Sequence, residues 1–380
     1  MIDFELTEEQ QALIDIARRF AREKIIPVAP ECDRKSEFPM EVFKEAWKIG
    51  LVNPTLPAEY GGPGLSDLDS VLVTEELAYG CSGIQTSITA NTLGLTPIKL
   101  AGSEEQKKKY LGMLMSEPMH VSYATTEPGA GSDVAGMQCR AVKQADGGYV
   151  LTGTKAWITN ANLSRFYVIF ATENPELKHK GIGAFIVERD AKGLSIGKHE
   201  DKLGQRASDT AQVMLDGVYV PPAQVLAPPG HGFKLAMETF NQTRPDIGGI
   251  ACGIMKRCLD ESVKYAKERK TFGTAIANHQ LVAAMIAEMA IRLNATRLLV
   301  HKAAWSLDKG IRDPLTSACA KAYGADAAMQ SATDAVQVFG GNGYVKEYPV
   351  EKLMRDAKIL QIYEGTAQVQ RIVIAKQLFA

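Results

Sequence analysis

The spacing of apolar positions divides the chain into three textures. Over residues 1–118, apolar residues recur three and four apart. Leu13, Ala17, Phe20 and Ala21 follow Thr7 and Gln10, which are spaced as a capping box that opens a helix. The segment Pro57–Gly64 is a turn-rich break. From Leu68 to Leu100, small and apolar residues occupy more than one helical face, which predicts a largely buried helical run. Between about 120 and 230 the pattern shortens to runs rich in β-branched and aromatic residues: Tyr149–Gly153, Phe166–Thr172, Ile182–Glu188 and Gln212–Val220. Gly, Asn, Asp and Pro separate them at intervals suited to an antiparallel sheet. No helix-length pattern intervenes, so βαβ crossovers are disfavoured. From Gly232 onward Ala-rich helical runs cover 248–268, 279–308, 314–338 and 348–379. The expectation is an α+β fold, mostly helical, with a helical domain over 1–119, a β-domain over 120–230 and a helical domain over 231–380.

Composition narrows the function classes. The 380 residues carry 43 Lys plus Arg against 44 Asp plus Glu, a net charge of −1, which disfavours a protein held to nucleic acid by bulk charge. No stretch of about 18 apolar residues occurs, so no membrane span is expected. The start, MIDFELTEEQQ, lacks the basic and apolar regions of a secretory signal. The six cysteines form no CxxC pair and no metal-ligand spacing with the six histidines. They read as packing thiols in a reducing compartment, with neither a structural metal nor a disulfide framework.

Three segments carry candidate chemistry. In Tyr123–Asp133, Gly129 and Gly131 let the backbone approach a ligand and expose N–H donors, while Thr126 and Ser132 add hydroxyls. Such a loop can hold a flavin ring or a phosphate, or can simply be a turn. No GxGxxG fingerprint opens a helix, so a Rossmann dinucleotide site is unsupported. Trp157-Ile158-Thr159-Asn160 is either a core tryptophan with a turn, the plainer reading, or an aromatic wall with a hydroxyl against a planar cofactor. In Gln361–Gln368, Glu364 lies where one helix ends and another begins; it is either an exposed carboxylate or a desolvated general base.

Together with Thr243-Arg244-Pro245, Glu268–Gly273, Gln337–Gly343 and Tyr348–Asp356, these segments resemble the acyl-CoA dehydrogenase family, nearest its medium-chain and short-chain type, over essentially the whole chain. The resemblance implies a helical N-terminal domain, a middle β-domain and a C-terminal four-helix bundle, assembled as a homotetramer around FAD. Tyr123, Thr125, Thr126, Trp157 and Thr159 would contact the flavin, and Ser132 the flavin or the acyl-CoA. Arg269, Thr271, Phe272, Gln280, Gln337 and Gly341 would hold the adenylate and pyrophosphate, partly across a subunit interface; a solvated helix-end charge is the plain alternative for Arg269. Thr366 and Gln368 would close the site. Thr89, Asn91, Asn241, Arg244, Asp246, Tyr363 and Gly365 would line the substrate site with Ser132 and Glu364. By the same resemblance Glu364 removes the α-proton of the thioester while the β-hydride passes to flavin N5. Branched-chain and long-chain members carry the base at the position of Thr243, which is no carboxylate here. Electron-transferring flavoprotein would take the electrons. The compartment expected is the bacterial cytoplasm, or the mitochondrial matrix if a transit peptide has been removed.

Two departures mark the acyl pocket. Thr89-Ala90 stands where the medium-chain pattern has Glu-Gly, and Asp246 stands where the family usually has a small apolar residue. Asp246 either caps a helix or pairs with a nearby Arg or Lys, the plainer reading, or adapts the pocket to a short, ring-bearing or partly polar acyl group, cyclohexane- or cyclohexene-carboxyl-CoA among them. No Arg occurs in 85–96, against a decarboxylating dicarboxyl-CoA enzyme. An oxidase on the same fold and a non-catalytic acyl-CoA-binding relative are the competing classes.

Overall fold

A computed structural model describes residues 5–379; residues 1–4 and 380, at the outer ends of the first and last expected domains, lie outside it. Six helices come first: α1 (Glu8–Phe20), α2 (Ala29–Lys35), α3 (Met40–Lys48), α4 (Asp67–Thr89), α5 (Asn91–Ala101) and α6 (Glu104–Ser116). Their starts are set by side chains that satisfy free backbone N–H groups. Thr7 with Gln10, Ser66 with Asp69 and Ser103 with Gln106 each form a reciprocal capping box. The Leu68–Leu100 run is buried as expected, but it breaks twice. Cys81 leaves helical geometry inside α4, and Ala90 separates α4 from α5.

Eight strands follow: β1 (His120–Ala124), β2 (Arg140–Lys143), β3 (Tyr149–Thr159), β4 (Ser164–Thr172), β5 (Ile182–Glu188), β6 (Leu194–His199), β7 (Thr210–Val220) and β8 (Val225–Ala227). They form one sheet in the order β6-β7-β3-β2-β4-β5-β8, with β1 also on β4. Antiparallel pairing holds for β2–β3, β3–β7, β4–β5, β5–β8 and β6–β7. The sheet is nonetheless mixed, because β2 meets β4 in parallel at Arg140 and Thr172 and β1 runs parallel to β4. This short strand arrives directly from α6 and needs no βαβ unit to do so. One face of the sheet packs on α5 and α6 through Val121, Phe166, Phe170, Leu111 and Leu114; the other closes over Tyr149, Tyr167, Phe185 and Val213.

The last part holds α7 (Gly232–Glu268), α8 (Gln280–Asp308), α9 (Pro314–Phe339), α10 (Val350–Ala357) and α11 (Ala367–Leu378). Two expected runs differ from the structure. The first begins at Gly232 rather than 248, because Pro245 is carried inside the helix; its missing N–H leaves the Asn241 carbonyl without its helical donor. The last is two helices, since 358–366 form a tight 3₁₀ turn and a bend. Ile250, Ile254, Met289, Val300, Ala328 and Leu353 are part of one core shared by α7–α10, and α4 packs on the outside of α7 and α8. The candidate chemistry collects where three segments meet: the loop after β1, the middle of α7, and the bend before α11.

Candidate active site

The bend before α11 is conformationally costly. Glu364 (φ 52°) and Gly365 (φ 83°) are consecutive residues in the left-handed region. For glutamate this costs roughly 1–2 kcal/mol, so the surroundings must hold it there. Gln370 Nε2 donates to the carbonyls of both Glu364 and Gly365 at 3.1 Å. Lys321 Nζ donates to the Gly365 carbonyl at 2.5 Å. The Thr366 hydroxyl accepts the N–H of Val369 at 3.1 Å and caps α11. Among the described residues, the N–H of Glu364 meets no backbone or side-chain acceptor. It is a free donor beside a carboxylate.

That carboxylate accepts a hydrogen bond from the Thr243 hydroxyl at 2.9 Å. Burial pushes the Glu364 carboxyl above the ordinary glutamate range, while the Thr243 bond and the charges of Arg244 and Lys321 pull it back down. Arg244 is 5 % exposed; its Nη1 donates to Asn241 Oδ1 at 2.7 Å and its Nε finds no partner. Burial lowers the pKa of this guanidinium, and Glu364 opposes the effect. The Tyr363 phenol is likewise pushed up by burial, with Gln205 Nε2 at 3.5 Å.

The end of β1 faces this carboxylate through Tyr123. Tyr123 packs its ring against Phe170 and Phe240, and the Glu364 charge adds to the upward push that burial gives its phenol. The hydroxyls of Tyr123 and Thr125 are buried neighbours without hydrogen-bond partners of good geometry. Thr126 is half-buried and its carbonyl accepts the N–H of Ala156 at 2.9 Å, fastening the loop to β3; Ser132 is exposed at the loop's far side. Between Lys155 and Ile158 the β3–β7 register slips, and Trp157 takes φ 61°. This bulge turns the indole outward, so Trp157 is 60 % exposed and the core-tryptophan reading is wrong. Thr159, at the end of β3, is half-buried and gives its carbonyl to the Ser122 hydroxyl at 2.7 Å.

A second site lies at the far end of α7. Arg269, Thr271 and Gly341 line one cleft of about 300 Å³ with Tyr265, Phe339 and Asn342. Thr271 bonds His279 Nε2 at 2.9 Å, and a two-residue hairpin turns at Phe272 (φ 51°), which is 98 % exposed. Gln280 opens α8 and Gln337 lies in the last turn of α9; both are exposed and neither lines the cleft. Gln368 is exposed on the first turn of α11. None of the residues around Glu364 lines this cleft.

At the α4 side two expectations need correction. Asn91 is 0 % exposed and fully engaged: its amide donates to Asn53 Oδ1 and the Met119 carbonyl, and its oxygen accepts from Val121 N, each at 2.9 Å. It ties α5 to β1 and, being fully buried, presents no surface to a substrate. Asp246 neither caps a helix nor pairs with an Arg or Lys. It lies inside α7, one turn beyond Thr243, and among the described residues the one hydrogen bond of its carboxyl is from the Ser70 hydroxyl at 3.1 Å. Burial, with Asp67 nearby, pushes its carboxyl up to about 8; Lys99 is only a weak counterweight. Thr89 is half-buried, with its hydroxyl held by Gln85 of the previous turn.

Three buried polar residues escaped the sequence reading. Lys155 Nζ, fully buried, bridges Glu127 Oε1 at 2.7 Å and the Thr125 carbonyl at 3.1 Å. Glu127 in turn accepts the N–H groups of Gln138 and Cys139. The signal was present: Lys155 falls on the inward phase of β3 with Tyr149 and Leu151. Lys321 stands alone in an Ala-rich stretch of α9, a pattern equally open to notice.

The acyl-CoA dehydrogenase N-terminal, middle and C-terminal domain families match residues 7–118, 122–218 and 230–379. The chain belongs to the acyl-CoA dehydrogenase family. It is 45 % identical over 380 residues to a probable medium-chain specific acyl-CoA dehydrogenase 2, mitochondrial, of Caenorhabditis briggsae, covering 99 % of this chain and 92 % of that one. The fold is similar to butyryl-CoA dehydrogenase from Megasphaera elsdenii, with TM-score 0.97, 37 % identity and all of both chains covered. It is also similar to a chain solved in work on the electron transferring flavoprotein of Acidaminococcus fermentans, with TM-score 0.96, 40 % identity and 99 % of each chain covered. The protein is thus a flavoprotein oxidoreductase with FAD as cofactor. The residues present fit that group: Tyr123 and Thr125 offer unpartnered buried hydroxyls, and a Cβ at Gly129, Gly131 or Gly341 would meet nothing within 4 Å. No helix among the described residues is long and apolar enough to cross a membrane.

Proposed function

We propose that the protein dehydrogenates a short-chain, medium-chain or ring-bearing acyl-CoA thioester to the α,β-enoyl-CoA, with Glu364 as the base. The observation that carries this reading is the Glu364 carboxylate, hydrogen-bonded by Thr243 and set beside its own unpartnered N–H in a strained turn. The chemical difficulty is the weak acidity of a thioester α-proton. A donor aimed at the thioester carbonyl stabilises the negative charge that develops as the proton leaves, and the Glu364 N–H is such a donor. A carboxyl pushed upward by burial is a better proton acceptor than an exposed one, while Thr243, Arg244 and Lys321 offset part of that push. Bound FAD supplies the hydride acceptor. Tyr123, Thr125, Thr126 and Trp157 orient it, and Arg269, Thr271 and Gly341 suit the phosphates and adenine end, with Arg pairing to phosphate oxygens.

Membership of the acyl-CoA dehydrogenase family supports a homotetramer, in which the Arg269 cleft and the Glu364 surroundings, which share no lining residue, would serve the cofactors of different subunits. Electron-transferring flavoprotein is the acceptor in this reading, supported by the similarity to the Acidaminococcus chain. Within the acyl pocket, Ser70 and Asp246 favour a short, cyclic or partly polar acyl group over a long straight one. The test is anaerobic bleaching of the yellow enzyme across straight, branched and cyclic acyl-CoAs. Glu364→Gln should keep the colour and lose the bleaching. Bleaching by E364Q removes Glu364 as the base.

A further inference from the structure

We infer that Lys321 is a positioning residue for the reaction: its buried ammonium grips the Gly365 carbonyl from behind, fixing the left-handed turn that presents Glu364. The inference rests on Glu364 being the base.

Lys321 is 0 % exposed in the middle of α9, and its hydrogen bond goes to the Gly365 carbonyl at 2.5 Å. Among the described residues it forms no ion pair. The charged groups that face it are Glu364 on the bend, Arg244 on α7 and Asp326 one turn and a half along its own helix. A buried ammonium without a carboxylate in contact is costly, and packing alone would be served by methionine or leucine. The cost has a visible counterpart at the turn it contacts. Glu364 and Gly365 are both left-handed, and a Cβ on Gly365 would come within 2.6 Å of Gln370 Nε2, so the backbone has no slack on that side. Gln370 holds the two carbonyls from α11, and Lys321 holds the second from α9. The turn is clamped between two helices.

Electrostatics points the same way. The Lys321 charge lowers the Glu364 pKa, and Glu364 raises that of Lys321, a reciprocal pair acting through space. Burial drives the ammonium down to about 8, so it carries its charge at neutral pH. Removing that charge makes Glu364 harder to ionise. Removing the donor lets the turn relax.

Two variants separate the charge from the hydrogen bond. Lys321→Met, with flavin bound, should lower kcat about tenfold and move the acidic limb of kcat/KM upward by about one pH unit. Lys321→Gln keeps a donor without a charge; it should recover part of kcat while its acidic limb stays displaced. If K321M retains kcat within about twofold and its limb does not move, the role is overturned. If both variants fail to fold as yellow proteins, Lys321 is a folding requirement and the positioning role is overturned too. E364Q, run alongside, tests the base separately: a bleaching E364Q sinks the base reading, whereas an inert E364Q with an unaffected K321M sinks only this inference.

Discussion

The hydroxyl of Thr243 and the carboxylate of Glu364 meet at 2.9 Å although 121 residues of chain separate them. The bond can form only to an acceptor oxygen, so it favours the ionised carboxyl. Thr243→Val should therefore raise the Glu364 pKa. At pH values below the plateau kcat/KM should drop about threefold to tenfold, with a smaller loss at high pH. Steady-state rates across pH read this directly; a uniform loss at every pH contradicts it.

The same contact predicts that a carboxylate can be moved across it. Thr243→Glu in the E364Q background should restore a measurable fraction of anaerobic flavin bleaching, with a changed preference among acyl-CoAs. Complete inactivity in a yellow, folded double variant means that the Thr243 side chain does not reach the α-carbon.

Asp246 should make stability fall with rising pH. An unfolded aspartate titrates near 3.9, whereas in the folded chain burial pushes this carboxyl up to about 8. Below pH of about 4 both states are protonated and nothing is lost. Between about 4 and 8 only the unfolded state gives up its proton, so unfolding gains ground. Asp246→Asn removes this dependence. Its Tm advantage over the parent should grow from pH 5 to pH 8 by about 2 °C or more. An equal difference at both pH values counts against a protonated Asp246.

The Lys155–Glu127 pair should be costly to break from one side. Lys155→Met leaves the Glu127 carboxylate buried without its cation, about 3 kcal/mol or more, and frees the Thr125 carbonyl. The expected result is a lower Tm and weaker FAD retention, both partly recovered by adding Glu127→Gln. Unchanged flavin content in K155M would separate the pair from the cofactor loop.

Phe272 is exposed at the tip of its hairpin, and Leu281 and Tyr344 are exposed as well. If they are covered by a neighbouring subunit, Phe272→Ser should leave the fold intact yet shift sedimentation toward smaller species and loosen FAD. A variant that sediments as the parent does places the subunit contact elsewhere.

Much of this architecture was legible from spacing. Short β-branched and aromatic runs between turn residues located β3, β4, β5 and β7, and capping residues marked α1, since both signals are local in sequence. The features that were not legible depend on contacts distant in sequence. The parallel seat of β1 on β4 is decided by the packing of α5 and α6, not by the strand's own residues. Asn91 resembles a pocket residue until its full burial and its bonds to Asn53, Met119 and Val121 are seen. Asp246 looked like half of an ion pair because the cation it would need is absent only in three dimensions.

Both buried lysines reach a main-chain oxygen: Lys155 that of Thr125, beside its ion pair with Glu127, and Lys321 that of Gly365. A grip on the backbone is indifferent to side-chain identity. Side chains around the bend, Asp246 among them, can therefore change without disturbing the anchorage of the Glu364 turn. Such decoupling lets a lineage explore new substrates by point substitution while the chemistry stays fixed in place.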